Sequence, residues 1–598
     1  MLTVAEKLDR LREEMKKEHM DAYIIVTDDF HNSEYVGDYF KARAFLSGFT
    51  GSAGTLVVTA EEACLWTDGR YFIQAAAQLE GSSITLMRMR QPGVPTIPEY
   101  LEATLGNEAA IGFDGRTVSC TFVRNIEQKL RGRKIQYRYQ YDLIDRIWAD
   151  RPTLSAEPVW ELGVRYTGMS AEDKLRKLRE KMADLGADTF VITALDEIAW
   201  LLNLRGGDVL YCPVFLSYML VQKDRTRLYV QTGAVSGDIE QKLNAMGVEL
   251  RAYDAFYGDL ECLDETSCVL ADSAAVNYTV SRCIPASVKR IDRPSPIALM
   301  KAVKTPAERE NFKIAHVKDG VAVTRFLYWL KTSVGKESVT ERSAAKKLLE
   351  FRQEQEGFLY ESFEPIVAYG SHGAIVHYTA TPETDVPLAP KGFLLADTGG
   401  HYQEGSTDIT RTIALGALTE EEKEYFTLVL MGHLNLSAAR FLYGVRGANL
   451  DCLARRPLWE RGLDYNHGTG HGVGYLLNVH EGPNSFAWQT SGGVLRSAVF
   501  EEGMVTSNEP GFYAEGKFGI RHENLMLCVK GEANQYGQFM QFENLTMVPF
   551  DLEAVVPEMM TKRQRMLLND YHRQVYGKIS PYLPVEERAW LAEATRAI

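Results

Sequence analysis

The chain has 598 residues, 45% of them apolar and 24% charged, enough for about two to four domains with well-buried cores. Lys plus Arg is 66 against 80 Asp plus Glu, a net charge of −14, and a surface of that sign repels a phosphate backbone and speaks against nucleic-acid partners. The eight cysteines are scattered with no Cys-x-x-Cys pair, unlike a zinc ribbon or a disulfide framework, which suits a reducing compartment. Residues 1–20 are charged throughout and lack the apolar stretch of a signal peptide. No apolar run approaches the roughly 18 residues of a membrane span. A soluble, cytoplasmic protein with no membrane partner is expected.

Residues 6–26 (EKLDRLREEMKKEHMDAYIIV) and 173–193 (DKLRKLREKMADLGADTFVIT) repeat one pattern. Leu8, Leu11, Met15, Asp21 and Ile25 fall on Leu175, Leu178, Met182, Asp188 and Ile192 at a constant offset of 167. Leu-x-x-Leu-x-x-x-Met draws one apolar stripe on a helix, and the runs 22–26 and 189–193 read as buried strands. Two amphipathic helices can match by chance, but here the match continues through the turn into the strand. The expectation is two related α/β domains in tandem, 1–155 and 156–300, with the proline-bearing stretch 151–158 as linker. A third domain, 301–598, opens at Thr305-Pro306-Ala307-Glu308, a capping box with proline at the first helical position. The helix after it is expected to carry Ile314, Val317 and Val321 on one apolar face. A second box, Thr419 to Glu422, starts a helix through Phe426 and Leu430. The β-like segments 393–397 and 407–413 lie between, so this largest domain is mixed α+β.

Eight of the 12 histidines (372, 377, 401, 433, 467, 471, 480 and 522) lie in one quarter of the chain, within the third domain. One buried histidine is more often core than ligand, so combinations carry the weight. In LLADTGGHYQEGSTDITRT, Asp397 ends an apolar strand, where a carboxylate needs a partner. The glycines allow a turn, and the returning strand places Ser406, Asp408 and Thr410 on one face. Asp397 and Asp408 then sit side by side and repel unless a proton or cation lies between them. In NHGTGHGVGYLLNVHEGP, His467, His471 and His480 alternate with glycines that permit close approach. This is neither a phosphate loop nor an H-E-x-x-H helix. In SNEPGFYAEGKFGIRHENL, Glu509 precedes a Pro-Gly turn and Glu523 opens an apolar segment. Each motif alone reads equally well as a surface turn or loop. Together they offer four carboxylates and an imidazole, a donor set suited to Mn²⁺ and acceptable to Zn²⁺, Co²⁺ or Fe²⁺. Two such ions about 3.5 Å apart can deprotonate a shared water and hydrolyse an amide.

Asp397, Asp408, His471, Glu509 and Glu523, in this order and context, resemble the metal-ligand set of the creatinase/methionine aminopeptidase superfamily, the pita-bread fold. SGFTGSAG (47–54), WTDGRYF (66–72), TALDEIAWLLNLRG (193–206), HGTGHGVG (467–474), NVHEGP (478–483) and EPGFY (509–513) resemble the long, three-domain Xaa-Pro aminopeptidases. The likeness covers nearly the whole chain. It implies two creatinase-like α/β domains followed by a pita-bread catalytic domain with a C-terminal extension. It implies two divalent metal ions, with Asp397 on one, Asp408 and Glu523 bridging, and His471 and Glu509 on the other. Glu509 would also shuttle the proton to the leaving proline nitrogen. His377 and His480 would contact the substrate and stabilise the oxyanion. His467 would line the proline side of the cleft, and Arg521 would orient the site among these substrate-side residues. The implied substrates are peptides with an N-terminal Xaa-Pro, and a homodimer is implied. Asn508 and His522 depart from the family pattern at positions next to ligands, which leaves the reaction intact and the fine metal preference open.

Three other readings compete. A prolidase restricted to Xaa-Pro dipeptides is the nearest, and the long duplicated N-terminal half speaks against it. A pseudoenzyme serving as a binding module would have lost ligands, yet all five are present. A serine hydrolase would need a Gly-x-Ser-x-Gly elbow, and Gly370-Ser371-His372-Gly373 has the wrong spacing.

Overall fold

The structure is a computed structural model that describes residues 2–489 and 497–598. The chain forms two compact units, Met1–Leu162 with Met169–Ile297, and Gly163–Gly168 with Ala298–Ile598.

The first unit is the duplication made visible. Helix Val4–Lys17 is capped by Thr3 and buries Leu8, Leu11 and Met15. Helix Ala171–Leu185 is capped by Ser170 and buries Leu175, Leu178 and Met182. Each feeds a strand, Ala22–Val26 or Thr189–Ile192, at the interior of a six-stranded sheet. Both strands run antiparallel to one neighbour and parallel to the other. The matched aspartates perform one task. Asp21 Oδ2 accepts from the Ala110 N–H at 2.8 Å, and the Asp188 carboxylate accepts from the Cys268 N–H at 3.0 and 3.1 Å. Each clips the entrance of its strand to the parallel neighbour. The two halves meet where Ser119 bridges Asn277. There the Cys120 N–H donates to Val276 O and the Tyr278 N–H to Val118 O, while Ser119 and Asn277 each cap a helix. This reciprocal pairing joins both copies into one body.

In the second unit, helix Pro306–Ser333 starts at the reciprocal Thr305–Glu308 bonds. Its buried line is Phe312, Ala315, Asp319, Ala322, Phe326 and Leu330. Val321 is buried, but Ile314 is 47% exposed, so the inward face is rotated from the expected one. That inward line is apolar apart from Asp319, which meets Arg352. Thr419 and Glu422 cap Glu420–Ser437, in which Phe426 and Leu430 are buried. Strands Ile366–Tyr369, Phe393–Thr398 and Ile409–Ala414 form an antiparallel sheet. A six-stranded sheet includes Gly470–Gly472, Val505–Asn508 and Asn524–Asn534. Phe426, Val429, Phe550, Leu568 and Val575 share the core packed between helices and strands. Among the described residues, no helix is long and apolar enough to cross a membrane.

Three histidines of this core stay neutral. Burial pushes His316 down to about 4, and His433 and His572 to about 3. His572 Nε2 accepts from the Phe550 N–H at 3.1 Å. Unfolded, such groups titrate near 6.5, so below that pH the unfolded chain binds more protons than the folded one. Their contribution is complete above about pH 6.5 and is lost as pH falls, at about 1.4 kcal/mol per pH unit for each group. These three groups should therefore make urea midpoints of the full chain fall as pH drops from about 6.5 toward 4. Midpoints that stay level across that window would contradict the buried, neutral state.

Candidate metal centre

Asp397 lies opposite Thr410 on neighbouring strands, and Asp408 immediately precedes the second strand. The chain between them is not a simple hairpin. Gly400–Tyr402 pairs with Phe358–Glu361 on one side and with Gly405–Ser406 on the other, in a small side sheet. A Cβ at Gly399 would collide with Thr407 O and Ser362 Oγ. A buried ion pair fixes both shoulders of this excursion. Arg352 Nε donates to Asp319 Oδ1 at 2.7 Å, and Arg352 Nη2 donates to Thr398 Oγ1 at 3.0 Å. Asp319 also accepts from Thr407 Oγ1 at 2.9 Å. Thr398 and Thr407 are the immediate neighbours of Asp397 and Asp408.

The remaining ligand candidates come from the six-stranded sheet. Glu523 donates its N–H to Thr410 O at 3.1 Å, and its Oε2 accepts from Thr410 Oγ1 at 2.8 Å. Glu509 donates its N–H to Thr469 O at 2.8 Å, and its Oε1 accepts from Ser507 Oγ at 3.2 Å. His471 lies in Gly470–Gly472, where a Cβ on either glycine would strike a neighbouring carbonyl, Ser507 O or Glu481 O. His471 Nδ1 donates to Gly472 O at 3.0 Å, which turns Nε2 toward the carboxylates. Nε2 lies 3.4 Å from both Asp408 Oδ2 and Glu509 Oε1.

Ligand atoms of Asp408, His471 and Glu523 all lie within 4.8 Å of one another. Asp397 Oδ1 and Glu523 Oε1 are buried without a hydrogen-bond partner. Burial and neighbouring carboxylates push Asp397, Glu509 and Glu523 above their ordinary range, although Arg521 opposes this at Asp397 and His471 at Glu509. Burial alone would lower His471, but Asp408 and Glu509 outweigh it and hold the imidazole at about 9. The cluster therefore demands positive charge, whether protons or cations. Unpartnered oxygens converging beside an oriented imidazole nitrogen fit divalent metal binding.

Arg521 is buried. Its Nε and Nη2 donate to Asp397 Oδ2, the former at 3.1 Å, and Nη1 donates to Tyr513 OH at 2.7 Å. Tyr513 OH in turn faces His467 Nε2 at 2.8 Å. His480 packs edge-on against His471, with ring centroids 4.3 Å apart. His377 follows Val376, whose carbonyl accepts from Arg521 at 3.4 Å. Asn508 donates to His433 O and Ser437 Oγ at 3.0 and 2.9 Å, and His522 packs edge-on against Phe426. Both unusual residues thus point into the core. The sequence places Thr410 on the Asp408 face without showing its bond to Glu523, and gives no role to Ser507, Tyr513, Asp319 or Arg352. The TDITRT and EPGFY phrases contain Thr410 and Tyr513; Asp319 and Arg352 carry no local signal.

Three buried carboxylates, the partly exposed Glu509 and one histidine, gathered from two antiparallel sheets, form a donor set of the kind that dinuclear metallohydrolases use. Residues 310–530 match the metallopeptidase family M24, residues 538–598 the C-terminal region of that peptidase, and residues 7–137 and 150–308 each match the creatinase/prolidase N-terminal domain. "Aminopeptidase P2" of Arabidopsis thaliana is 37% identical, over 100% of this chain and 89% of its own. "Xaa-Pro aminopeptidase 1" of Dictyostelium discoideum is 36% identical, over 97% and 94%. The crystal structure of an X-prolyl aminopeptidase from Caenorhabditis elegans, described as a cytosolic enzyme with a di-nuclear active site, superposes with a TM-score of 0.95 at 34% identity and full coverage of both chains. The chain belongs to the M24 metallopeptidases, within the Xaa-Pro aminopeptidase family. The expected fold, two creatinase-type N-terminal domains and a pita-bread catalytic domain, is present.

Asp319→Ala should lower stability of the full chain by about 3–5 kcal/mol, because Arg352 is left buried and unpaired. Urea unfolding measures this, and a loss under about 1 kcal/mol would mean the pair does not anchor the strands.

Proposed function

We propose that the chain removes the first residue from peptides with proline at position two, using two divalent metal ions held by Asp397, Asp408, His471, Glu509 and Glu523. The observation that carries this reading is the convergence of Asp408, His471 and Glu523 ligand atoms within 4.8 Å, in a full-length relative of named Xaa-Pro aminopeptidases. Asp397 would serve one ion, Asp408 and Glu523 would serve both, and His471 and Glu509 would serve the other. Bound metal supplies Lewis acidity and lowers the pKa of an attacking water. An oxygen-rich set with one imidazole favours Mn²⁺, with Zn²⁺, Co²⁺ or Fe²⁺ as substitutes.

Glu509 takes the water's proton and delivers it to the proline nitrogen. That nitrogen belongs to a tertiary amide, has no hydrogen of its own and carries a fixed ring, so it needs a donated proton to leave. His480 beside His471, and His377 beside the Arg521 anchor, steady the peptide and its developing oxyanion. His467 lines the proline side, held by Tyr513. Arg521 keeps Asp397 aimed from behind. A cytoplasmic homodimer completes the proposal, supported by the family likeness.

The Xaa-Pro dipeptidase of Bacillus anthracis, with a TM-score of 0.51 at 23% identity over 65% of this chain, shares the fold alone. Arg-Pro-Pro separates the two activities: release of arginine in the presence of Mn²⁺, abolished by a chelator, is expected, and cleavage of dipeptides only would establish the prolidase. Asp408→Ala and Glu523→Ala should each abolish peptidase activity and metal retention, because one change removes a ligand from both ions. His377→Ala should lower turnover by roughly 10²-fold or more with metal content intact by elemental analysis. Loss of metal in that variant would contradict its place on the substrate side.

A further inference from the structure

Arg411 is a buried cation whose acceptors are carbonyls and uncharged side chains. Nη1 donates to Thr410 O at 2.8 Å and Glu523 O at 2.6 Å. Nε donates to Pro549 O at 3.1 Å. Nη2 lies 2.8 Å from both Asn524 Oδ1 and Val548 O, and 3.0 Å from Tyr571 OH. The guanidinium also lies over the Phe550 ring, 4.1 Å from its centre. These acceptors form two groups. Thr410, Glu523 and Asn524 belong to the strands that carry the ligand candidates. Val548, Pro549, Phe550 and Tyr571 belong to the C-terminal segment, where Tyr571 OH donates to Val548 O at 2.8 Å.

Burying a cation without a carboxylate partner is expensive, so its geometry matters. The planar fork can hold two carbonyls on one nitrogen while reaching a third set with the other, which an ammonium cannot do. Thr410 and Glu523 are the pair already joined by the Glu523 N–H to Thr410 O and by Thr410 Oγ1 to Glu523 Oε2. Arg411 adds the last link from behind, leaving Glu523 Oε1 unpartnered in the cleft. Asp408 lies three residues earlier on the same stretch. The side chain therefore ties the C-terminal segment to the backbone that presents both proposed bridging carboxylates.

We propose that Arg411 is a positioning residue through which the C-terminal segment sets the affinity of Asp408 and Glu523 for divalent metal. This rests on reading those carboxylates as metal ligands. The test uses the full chain stripped with a chelator, titrated with Mn²⁺ and followed by calorimetry, for the unaltered protein, Arg411→Lys and Tyr571→Phe. Arg411→Lys should weaken Mn²⁺ binding about tenfold or more, and Tyr571→Phe should shift it in the same direction by less. Excess Mn²⁺ should then restore kcat with KM unchanged, which a general loss of folding would not allow. Mn²⁺ affinities within about twofold of the unaltered chain in both variants, however far their metal-free melting points fall, would overturn the proposal. Failure of the unaltered chain to bind Mn²⁺ would instead overturn the ligand assignment, and this inference with it.

Discussion

Two unit charges 4 Å apart repel by about 4 kcal/mol at the effective dielectric of a protein near its surface. This chain gathers Asp397, Asp408, Glu509 and Glu523 in one mostly buried cleft and places a single imidazole among them. The arrangement is tolerable only if positive charge is drawn in, and much of the surrounding structure exists to keep the carboxylates from escaping one another. The upward shifts at Asp397, Glu509 and Glu523 and the raised His471 express the same demand. Without cations, protons must serve.

The restraint is applied to one oxygen at a time. Arg521 grips Oδ2 of Asp397 and leaves Oδ1 without a partner. Thr410 grips Oε2 of Glu523 and leaves Oε1 without a partner. Ser507 donates to Oε1 of Glu509. A carboxylate anchored by one oxygen cannot rotate away, yet keeps ligating capacity, which is preorganisation in its simplest form. Behind this layer, Arg352 holds Thr398 beside Asp397, its partner Asp319 holds Thr407 beside Asp408, and Arg411 holds the carbonyls of Thr410 and Glu523. Positive charge is therefore built into the frame, while the cleft itself stays a net acceptor.

The duplicated half was legible because it is periodic. Leu8, Leu11 and Met15 repeat as Leu175, Leu178 and Met182, and even Asp21 and Asp188 share a hydrogen-bonding role. The ligand candidates were legible because each sits in a short motif with its own glycines or proline. The frame was not. Asp319 and Arg352 lie far from each other and from the strands they pin, and each looks like an ordinary helical surface charge. The inner face of helix Pro306–Ser333 lies away from Ile314, along the line of Phe312, Ala315, Phe326 and Leu330, in which Asp319 is the charged member. Excursion 399–407 was likewise read as a turn, because pairing with Phe358–Glu361 depends on a partner some forty residues earlier.

Exposure across the cleft gives the site a direction. The side chains of His471 and Glu509 are 21% and 17% exposed, against 5% for Asp408, and Glu523 is 1% exposed. The open side is thus the one where His480 packs on His471, and the closed side holds the proposed bridging carboxylates. A secondary amide entering there would bring an N–H that needs an acceptor once desolvated. A proline amide brings none and leaves only a ring to accommodate. What that bond requires is a proton for its nitrogen at the moment of cleavage, and Glu509 is the carboxylate that reaches the open side while lying 3.4 Å from His471, itself a proposed ligand. On the proposed reading, the preference for proline and the position of the proton carrier follow from the same asymmetry: a buried floor that binds cations and an open wall that offers one exchangeable proton.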